Sequence, residues 1–181
     1  MASMVRVSTY TGTAKTLHWL IVVLLTVQFV VAWTMPHIGR NTQPETLINL
    51  HFTLGIVILF FACLRLLWRL SHAEPAPEAG VPPWQTMTAT IVHWLLYLLL
   101  FVIPVLGWEN ASWRGFPIIT FGLEWPKLLA TRAPGWAWTG DVHALLANYA
   151  MLGLVALHVV AALYHWLGRR DRVLQRMLPG G

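Results

Sequence analysis

The feature that most constrains this chain is a series of four apolar stretches, at 16–35, 47–70, 88–108 and 142–167. A helix needs about 20 apolar residues to cross roughly 30 Å of hydrocarbon, so each stretch is long enough to be a membrane span. A mean hydropathy of +0.60, with only 10% charged residues, agrees with this interpretation. The sequence therefore predicts an all-α integral membrane protein built as a four-helix bundle.

Helix-breaking residues separate the stretches. Pro36 and Gly39 follow the first, a proline-rich link at 73–83 follows the second, and a long connection at 109–141 follows the third. The first stretch contains no small-residue cleavage pattern, so we expect it to remain in the mature protein as a span. The single cysteine, Cys63, lies within the second stretch and cannot form an intrachain disulfide.

The distribution of Lys and Arg predicts the orientation. Eight of the twelve flank one side of the predicted spans: Arg6, Lys15, Arg65, Arg69, Arg169, Arg170, Arg172 and Arg176. The other four lie on the opposite side: Arg40, Arg114, Lys127 and Arg132. Because cytoplasmic loops carry the excess of positive charge, we expect both termini to be cytoplasmic. The net charge of +5 is thus interpreted as membrane-flanking charge, and no nucleic-acid partner is expected.

Histidines are concentrated in the predicted spans. Six of the eight fall within or at the rims of a span: His18, His51, His93, His143, His158 and His165. Ionisable side chains inside a bilayer are costly, so they usually face the bundle interior and serve a function. The three in the fourth span are separated by 15 and 7 residues, which places them within roughly 60° on one helical face. The other two, His37 and His72, lie in loops and are expected to be solvated.

The depths of these histidines predict two pairs. The second and fourth spans run in the same direction, and each has a histidine near its outer start, His51 and His143. His158 lies about 22 Å further along the fourth span, at the depth of His18. Zinc would need three or four ligands at one point, whereas two axial imidazoles suit a haem iron. His93, at the inner start of the third span, is the alternative to His18.

Two arginines of the second span, Arg65 and Arg69, lie near the predicted depth of His158. Their guanidinium groups could pair with haem propionates; the alternative is that both are interfacial residues whose charges reach toward water. Two imidazoles on one iron leave no open position for oxygen, so the predicted centres transfer electrons. Since the chain has no Cys-x-x-Cys-His motif, any haem is held by coordination alone.

Several segments together resemble the bacterial cytochrome b561 family. They are Leu17-His18-Trp19, LINLHFTLG at 47–55, RLLWR at 65–69, PVLG at 104–107, FGL at 121–123 and the fourth-span pattern from His143 to His158. The resemblance covers almost the whole chain. It implies that residues 1–181 form a single transmembrane domain of the bacterial inner membrane with two b-type haems. It also implies that His51 and His143 ligate one haem, and His18 and His158 the other.

Stand-alone members of this family include a superoxide oxidase, which takes electrons from superoxide at the periplasmic face and delivers them to ubiquinone. Similarity to it implies a superoxide:ubiquinone oxidoreductase. Three cations of the outer connection are then candidates for steering a small anion: Arg114, Lys127 and Arg132. A merely solvated surface is the alternative, because the same connection carries three acids: Glu109, Glu124 and Asp141.

Two histidines have no iron in this scheme. His165 and His93 are candidates for hydrogen-bonding a quinone carbonyl or supplying its proton. For His165, anchoring at the membrane interface is the alternative.

Two other functions are compatible with the sequence. One is a haem b electron-transfer subunit serving a separate partner protein, as in the related cytochrome b subunits of nickel-iron hydrogenases. The end of the chain soon after the fourth span favours the stand-alone kind. The other, from a different class, is a histidine-lined metal or proton carrier.

Overall fold

The computed structural model describes residues 9–39 and 42–180. Within these residues, four helices are long and apolar enough to cross a membrane: α1 (Gly12–Thr34), α2 (Thr46–Ser71), α3 (Pro83–Arg114) and α4 (Thr139–Arg169). A short hairpin of β1 (Ile119–Thr120) and β2 (Leu123–Glu124) lies between α3 and α4. The predicted all-α membrane bundle is confirmed. Arg6 and Arg40, two of the charges used to orient the chain, lie outside the described residues.

Local sequence determines where the helices begin and end. Thr11 caps α1, and its hydroxyl accepts a hydrogen bond from the Ala14 amide at 3.2 Å. Pro83 occupies the first turn of α3, where no backbone donor is needed, and α3 ends at Gly115 with a φ of 81°. This helix extends past the predicted 88–108 at both ends, because hydropathy detects only the apolar part of a helix.

Helix α4 is interrupted by two π-helical stretches, Leu146–Met151 and Tyr164–Arg169. A π-turn acts as one inserted residue and rotates the following side chains by about 100° relative to a uniform α-helix. The first stretch lies between His143 and His158. A uniform α-helix would place the two side chains roughly 60° apart around the helix axis, whereas the π-turn places them roughly 40° apart in the opposite direction. Both histidines therefore still point toward the same side of α4.

Consecutive helices pack against one another, α1 on α2, α2 on α3 and α3 on α4. We call the end of the bundle where α1 and α3 begin the terminal face, and the end that carries the hairpin the loop face. A buried apolar cluster joins the helices between these faces: Ile21, Ile58, Ala62, Leu99, Leu100 and Met151. With lipid outside, this cluster provides the dry interior of the bundle.

The segment after α4 closes the terminal face. The carbonyls of Arg176 and Met177 each accept a hydrogen bond at 3.0 Å, from the hydroxyl of Thr9 and the indole of Trp19 respectively. The Arg176 side chain also pairs with Glu78 at 3.4 Å and donates to the Ala76 carbonyl at 2.7 Å. The last residues of the chain therefore connect α1 to the link between α2 and α3.

Candidate functional site

Two histidines face each other near the loop face. The rings of His51 on α2 and His143 on α4 have centroids 6.0 Å apart and lie 81° from parallel. Both rings line a cavity of about 360 Å³ whose other walls are mainly apolar, among them Phe29, Ile103 and Met151. The bundle thus forms an apolar chamber with two imidazoles on its wall.

Helix α3 holds the His143 ring in one orientation. Its Nδ1 atom lies 2.8 Å from the carbonyl oxygen of Ile103, which can only accept a hydrogen bond. Nδ1 therefore carries the proton, and Nε2 keeps the lone pair that a metal ligand needs. Gly107, one turn further along α3, leaves room for the ring, because a Cβ there would lie 2.9 Å from Cε1 of His143.

The opposite wall contains buried polar atoms that lack a partner. Among the described residues, Nδ1 of His51 and Oε1 of Gln28 have no hydrogen-bond partner. The Gln28 amide donates to the His51 carbonyl at 3.1 Å and lies 3.5 Å from the ring Nε2. Buried polar atoms without partners are costly, so these atoms are suited to contact a bound group.

Three histidines gather near the terminal face. The His18 and His158 rings are 6.2 Å apart and 75° from parallel, as expected for the predicted pair. His93 of α3 also packs against His158, with ring centroids 5.3 Å apart. His93 is therefore close enough to His158 to compete with His18 as its partner at this site.

The ring separations differ between the two candidates. Two imidazoles on opposite sides of one iron, each bonded at about 2 Å, have ring centroids roughly 6 Å apart. The His51–His143 and His18–His158 separations of 6.0 and 6.2 Å fit this value, whereas 5.3 Å for His93–His158 is shorter. In the described part of the chain, no three His, Cys, Asp or Glu residues are grouped to hold a metal ion. The His51–His143 pair, which lines an apolar chamber, fits haem b, whose macrocycle supplies the remaining ligands.

The two predicted arginines differ in their contacts. Arg65 donates to the carbonyl of Ala14, one turn before His18, at 3.2 Å and lies over the Tyr97 ring at 5.9 Å. Arg69 instead forms an ion pair with Glu74 at 2.6 Å and lies over the Trp94 ring at 5.3 Å. Arg69 is therefore paired with an acid, whereas Arg65, among the described residues, forms no ion pair.

His165 has an acidic partner that sequence reasoning missed. Its Nδ1 lies 2.6 Å from Oδ2 of Asp171, and the same oxygen accepts a hydrogen bond from Nε of Arg169 at 3.2 Å. The other carboxylate oxygen, Oδ1, accepts from the Val173 amide at 3.1 Å. Burial alone would raise the pKa of Asp171, but these hydrogen bonds outweigh it, and the pKa is lowered. Arg170 adopts a left-handed conformation with a φ of 56°, which turns the chain back so that Asp171 reaches His165.

The three loop-face cations have different environments. Arg114 is half-buried and donates to Asn110 and to the Gly39 carbonyl, both at 3.0 Å. Lys127 and Arg132 are exposed, and the Arg132 guanidinium lies 4.6 Å from the centre of the Trp113 ring. Arg114 therefore connects α3 to the segment after α1, and Lys127 and Arg132 are the cations that face solvent.

The loop histidines are exposed, as expected from the sequence. His72 stacks on Trp68 with centroids 3.7 Å apart. His37 also lines the cavity that holds His51 and His143. The structure thus adds His37 to the residues near the loop-face pair.

Comparison with known proteins gives one family and several relatives. The family model for prokaryotic cytochrome b561 matches residues 9–180. A Yersinia pestis protein named "probable superoxide oxidase CybB" is 30% identical over 167 residues, which covers 90% of this chain and 92% of that protein. Cytochrome b562 of Cereibacter sphaeroides is 30% identical over 174 residues, covering 93% and 94%. Cytochrome b561 homolog 2 of Escherichia coli (strain K12) is 30% identical over 167 residues, covering 89% and 86%.

Proposed function

The chain belongs to the prokaryotic cytochrome b561 family, and we propose that it oxidises superoxide at one membrane face and reduces ubiquinone. The family makes it a multi-pass inner-membrane haem b protein that transfers electrons. The observation that carries the finer proposal is the presence of two histidine pairs near opposite faces of one bundle.

Each pair is proposed to hold one haem b. His51 and His143 would hold the first, in the loop-face cavity that both residues line. His18 and His158 would hold the second, with Arg65 as the cation that would pair with a propionate. Haem b, when bound, carries one electron at a time. The protein's task is to fix two such groups in a dry interior and to exclude oxygen from the iron.

The overall reaction balances with these two partners. Two superoxide anions each lose one electron and leave as dioxygen, while one ubiquinone gains two electrons and two protons to become ubiquinol. Oxidation of superoxide needs no proton, but quinone reduction does. A group that can donate protons is therefore needed only where the quinone binds.

His165 and Asp171 are proposed to serve the quinone side. The carboxylate fixes the tautomer of His165 by accepting from Nδ1, so Nε2 is left to exchange a proton with a quinone oxygen. His165 follows His158 by seven residues and lies at the terminal face. An excess of Lys and Arg at this face supports a cytoplasmic location for it, which would give the dyad access to cytoplasmic protons.

Lys127 and Arg132 are proposed to attract superoxide to the loop face. Both are exposed, whereas Arg114 is engaged in hydrogen bonds with Asn110 and Gly39. A positive surface raises the local concentration of a small anion and its rate of encounter. The His51–His143 pair lies beneath this face.

The test uses the purified, haem-loaded chain. We expect a low-spin b-type spectrum with two haems per chain and reduction of a soluble ubiquinone analogue by superoxide in the absence of other proteins. Fully loaded protein without that activity would instead favour a subunit that serves a partner protein. Protein that binds no haem would favour the metal or proton carrier and exclude both redox functions.

A further inference from the structure

The hairpin between α3 and α4 ends in exposed apolar side chains. Phe121 at its tip is 87% exposed, Leu123 is 70% exposed and Ile119 is 53% exposed. In contrast, Ile118, directly before β1, is buried against Ile56 and Ala111. The hairpin therefore has one face that packs on the bundle and another that presents three large apolar groups outward.

The turn of the hairpin has an unusual backbone conformation. Phe121 and Gly122 occupy the central positions with φ values of 52° and 81°, and Thr120 pairs with Leu123 across the turn. Asn, Asp and Gly are favoured where both central residues have positive φ, whereas a bulky aromatic residue there is strained. Exposure of the phenyl ring to water adds a hydrophobic cost to this backbone strain, and an apolar environment for the ring would remove the added cost.

The position of the hairpin on α2 identifies this environment. Six residues of α2 fall within about 100° of helical arc: Leu50, Thr53, Val57, Phe60, Leu64 and Leu67. Four of them are exposed, as expected for a helix face toward lipid: Leu50, Phe60, Leu64 and Leu67. Thr53 and Val57 are only half-exposed, and the Thr53 hydroxyl donates to the Ile119 carbonyl at 3.3 Å. The hairpin thus lies on the lipid-facing side of α2.

Depth limits the assignment to one zone of the bilayer. Thr53 is seven residues from the start of α2, which is about 10 Å along the helix axis. Irregular backbone exposed to lipid is not tolerated in the hydrocarbon core, because its polar groups cannot be paired there. At the boundary of headgroups and acyl chains, by contrast, apolar side chains insert about 5–10 Å while the backbone stays hydrated.

We propose that the hairpin of residues 119–124 is an interfacial lipid anchor, with Phe121, Leu123 and Ile119 inserted among the lipids of the loop-face leaflet. Ile118 lines the cavity that contains His51 and His143. The residue that directly precedes the anchored hairpin therefore forms part of the cavity wall. This contact with lipid does not depend on which donor or acceptor the protein serves.

Spin labels on the reconstituted holoprotein test the anchor. Labels are placed at Phe121→Cys and Leu123→Cys in a Cys63→Ser background. Their collision rates with oxygen, which partitions into lipid, are then compared with those of a water-soluble nickel chelate. The chain offers two references. Native Cys63 is exposed within the α2 span and reports lipid, whereas Lys127→Cys is an exposed residue of the same connection and reports water.

We expect the ratio of oxygen to nickel collisions at 121 and 123 to be several-fold higher than at 127 and to approach that at Cys63. A ratio equal to that at 127 would overturn the proposal, because the tip would then lie in water. Exclusion of both reagents would overturn it as well and would indicate a covering protein, such as a second copy of the chain. Leu123 has no positive φ, so its label remains informative even if the Phe121 variant does not fold.

Discussion

Gly107 and His143 are in direct contact: the imidazole lies against the backbone of α3 where residue 107 has no side chain. A Cβ at Gly107 would come within 3.0 Å of Nδ1 of His143, the atom that donates to Ile103. One glycine and one carbonyl of the same helix therefore determine both the position and the tautomer of this imidazole.

Gly107→Ala should displace His143 and weaken the loop-face site. The added methyl overlaps the ring, and overpacking of this kind costs about 1–3 kcal/mol. We expect the haem content to fall from two per chain toward one, as measured by pyridine haemochrome against protein. Gly153→Ala is the matched control, because nothing lies within 4 Å of a Cβ at Gly153. Two haems retained in Gly107→Ala would show that His143 does not need this space.

His18→Phe and His93→Phe should separate the two candidates for the terminal-face ligand. Each variant replaces an imidazole by an apolar ring of similar size, so packing is largely kept. Because only the His18–His158 distance of 6.2 Å fits a shared iron, we expect His18→Phe to lose one haem and His93→Phe to keep both. The reverse result, with one haem lost only in His93→Phe, would assign the site to His93 and His158.

Asp171→Asn should remove a pH-dependent contribution to stability. The pKa of Asp171 is lowered from 3.8 in the folded chain, so its contribution is present above that value and is lost as pH falls through the lower folded value. We expect the wild type to melt about 2–4 °C above the variant between roughly pH 5 and pH 8. The two melting temperatures should converge in more acidic buffer. A difference that stays constant into strong acid would mean that the carboxylate charge has no part in it.

Asp171→Asn should also slow quinone turnover while leaving both haem spectra unchanged, because Asp171 is proposed to act through His165 and contacts neither histidine pair. The slowing should be greatest at high pH, where protons are scarce. Measurement of quinone reduction against pH checks this point. His165→Gln is the companion variant, and loss of a haem in it would contradict the role assigned to His165.

Lys127→Ala should lower the rate of superoxide oxidation at low ionic strength, by roughly twofold, through weaker steering. The difference should vanish as salt is added, since exposed charges are screened over about 8 Å at physiological ionic strength. Lys15→Ala, at the terminal face, serves as the control for loss of one positive charge. An effect of Lys127→Ala that is equally large at high salt would point to a contact rather than to steering.

Hydropathy and helical arithmetic predicted much of this molecule because the bilayer restricts the available structures. The four spans follow from length and composition, and the proximity of His51 to His143 follows from depth alone. The π-turn at Leu146–Met151 could have turned His158 away from the side of α4 that carries His143. Instead, it changes the angle between the two side chains only from one modest value to another of opposite sign. The acceptor carbonyl of Ile103 carries no side-chain signal, so sequence reasoning could not reveal it.

Contacts formed after a helix ends were equally inaccessible. Asp171 reaches His165 only because Arg170 turns left-handed, a conformation that helical periodicity does not predict. The ion pair of Arg69 with Glu74 likewise depends on the path of the α2–α3 link. In both cases the sequence indicated one residue, His165 or Arg69, but not its acidic partner.

Each histidine pair takes one member from α4, the fourth span of the described bundle. The hydrogen bonds from Thr9 to Arg176 and from Trp19 to Met177 likewise join residues that are far apart in sequence. If the pairs ligate haem as proposed, neither site can be completed while only the first three helices have been synthesised. Haem insertion would then follow the arrival of α4, and a product truncated before α4 would retain neither haem.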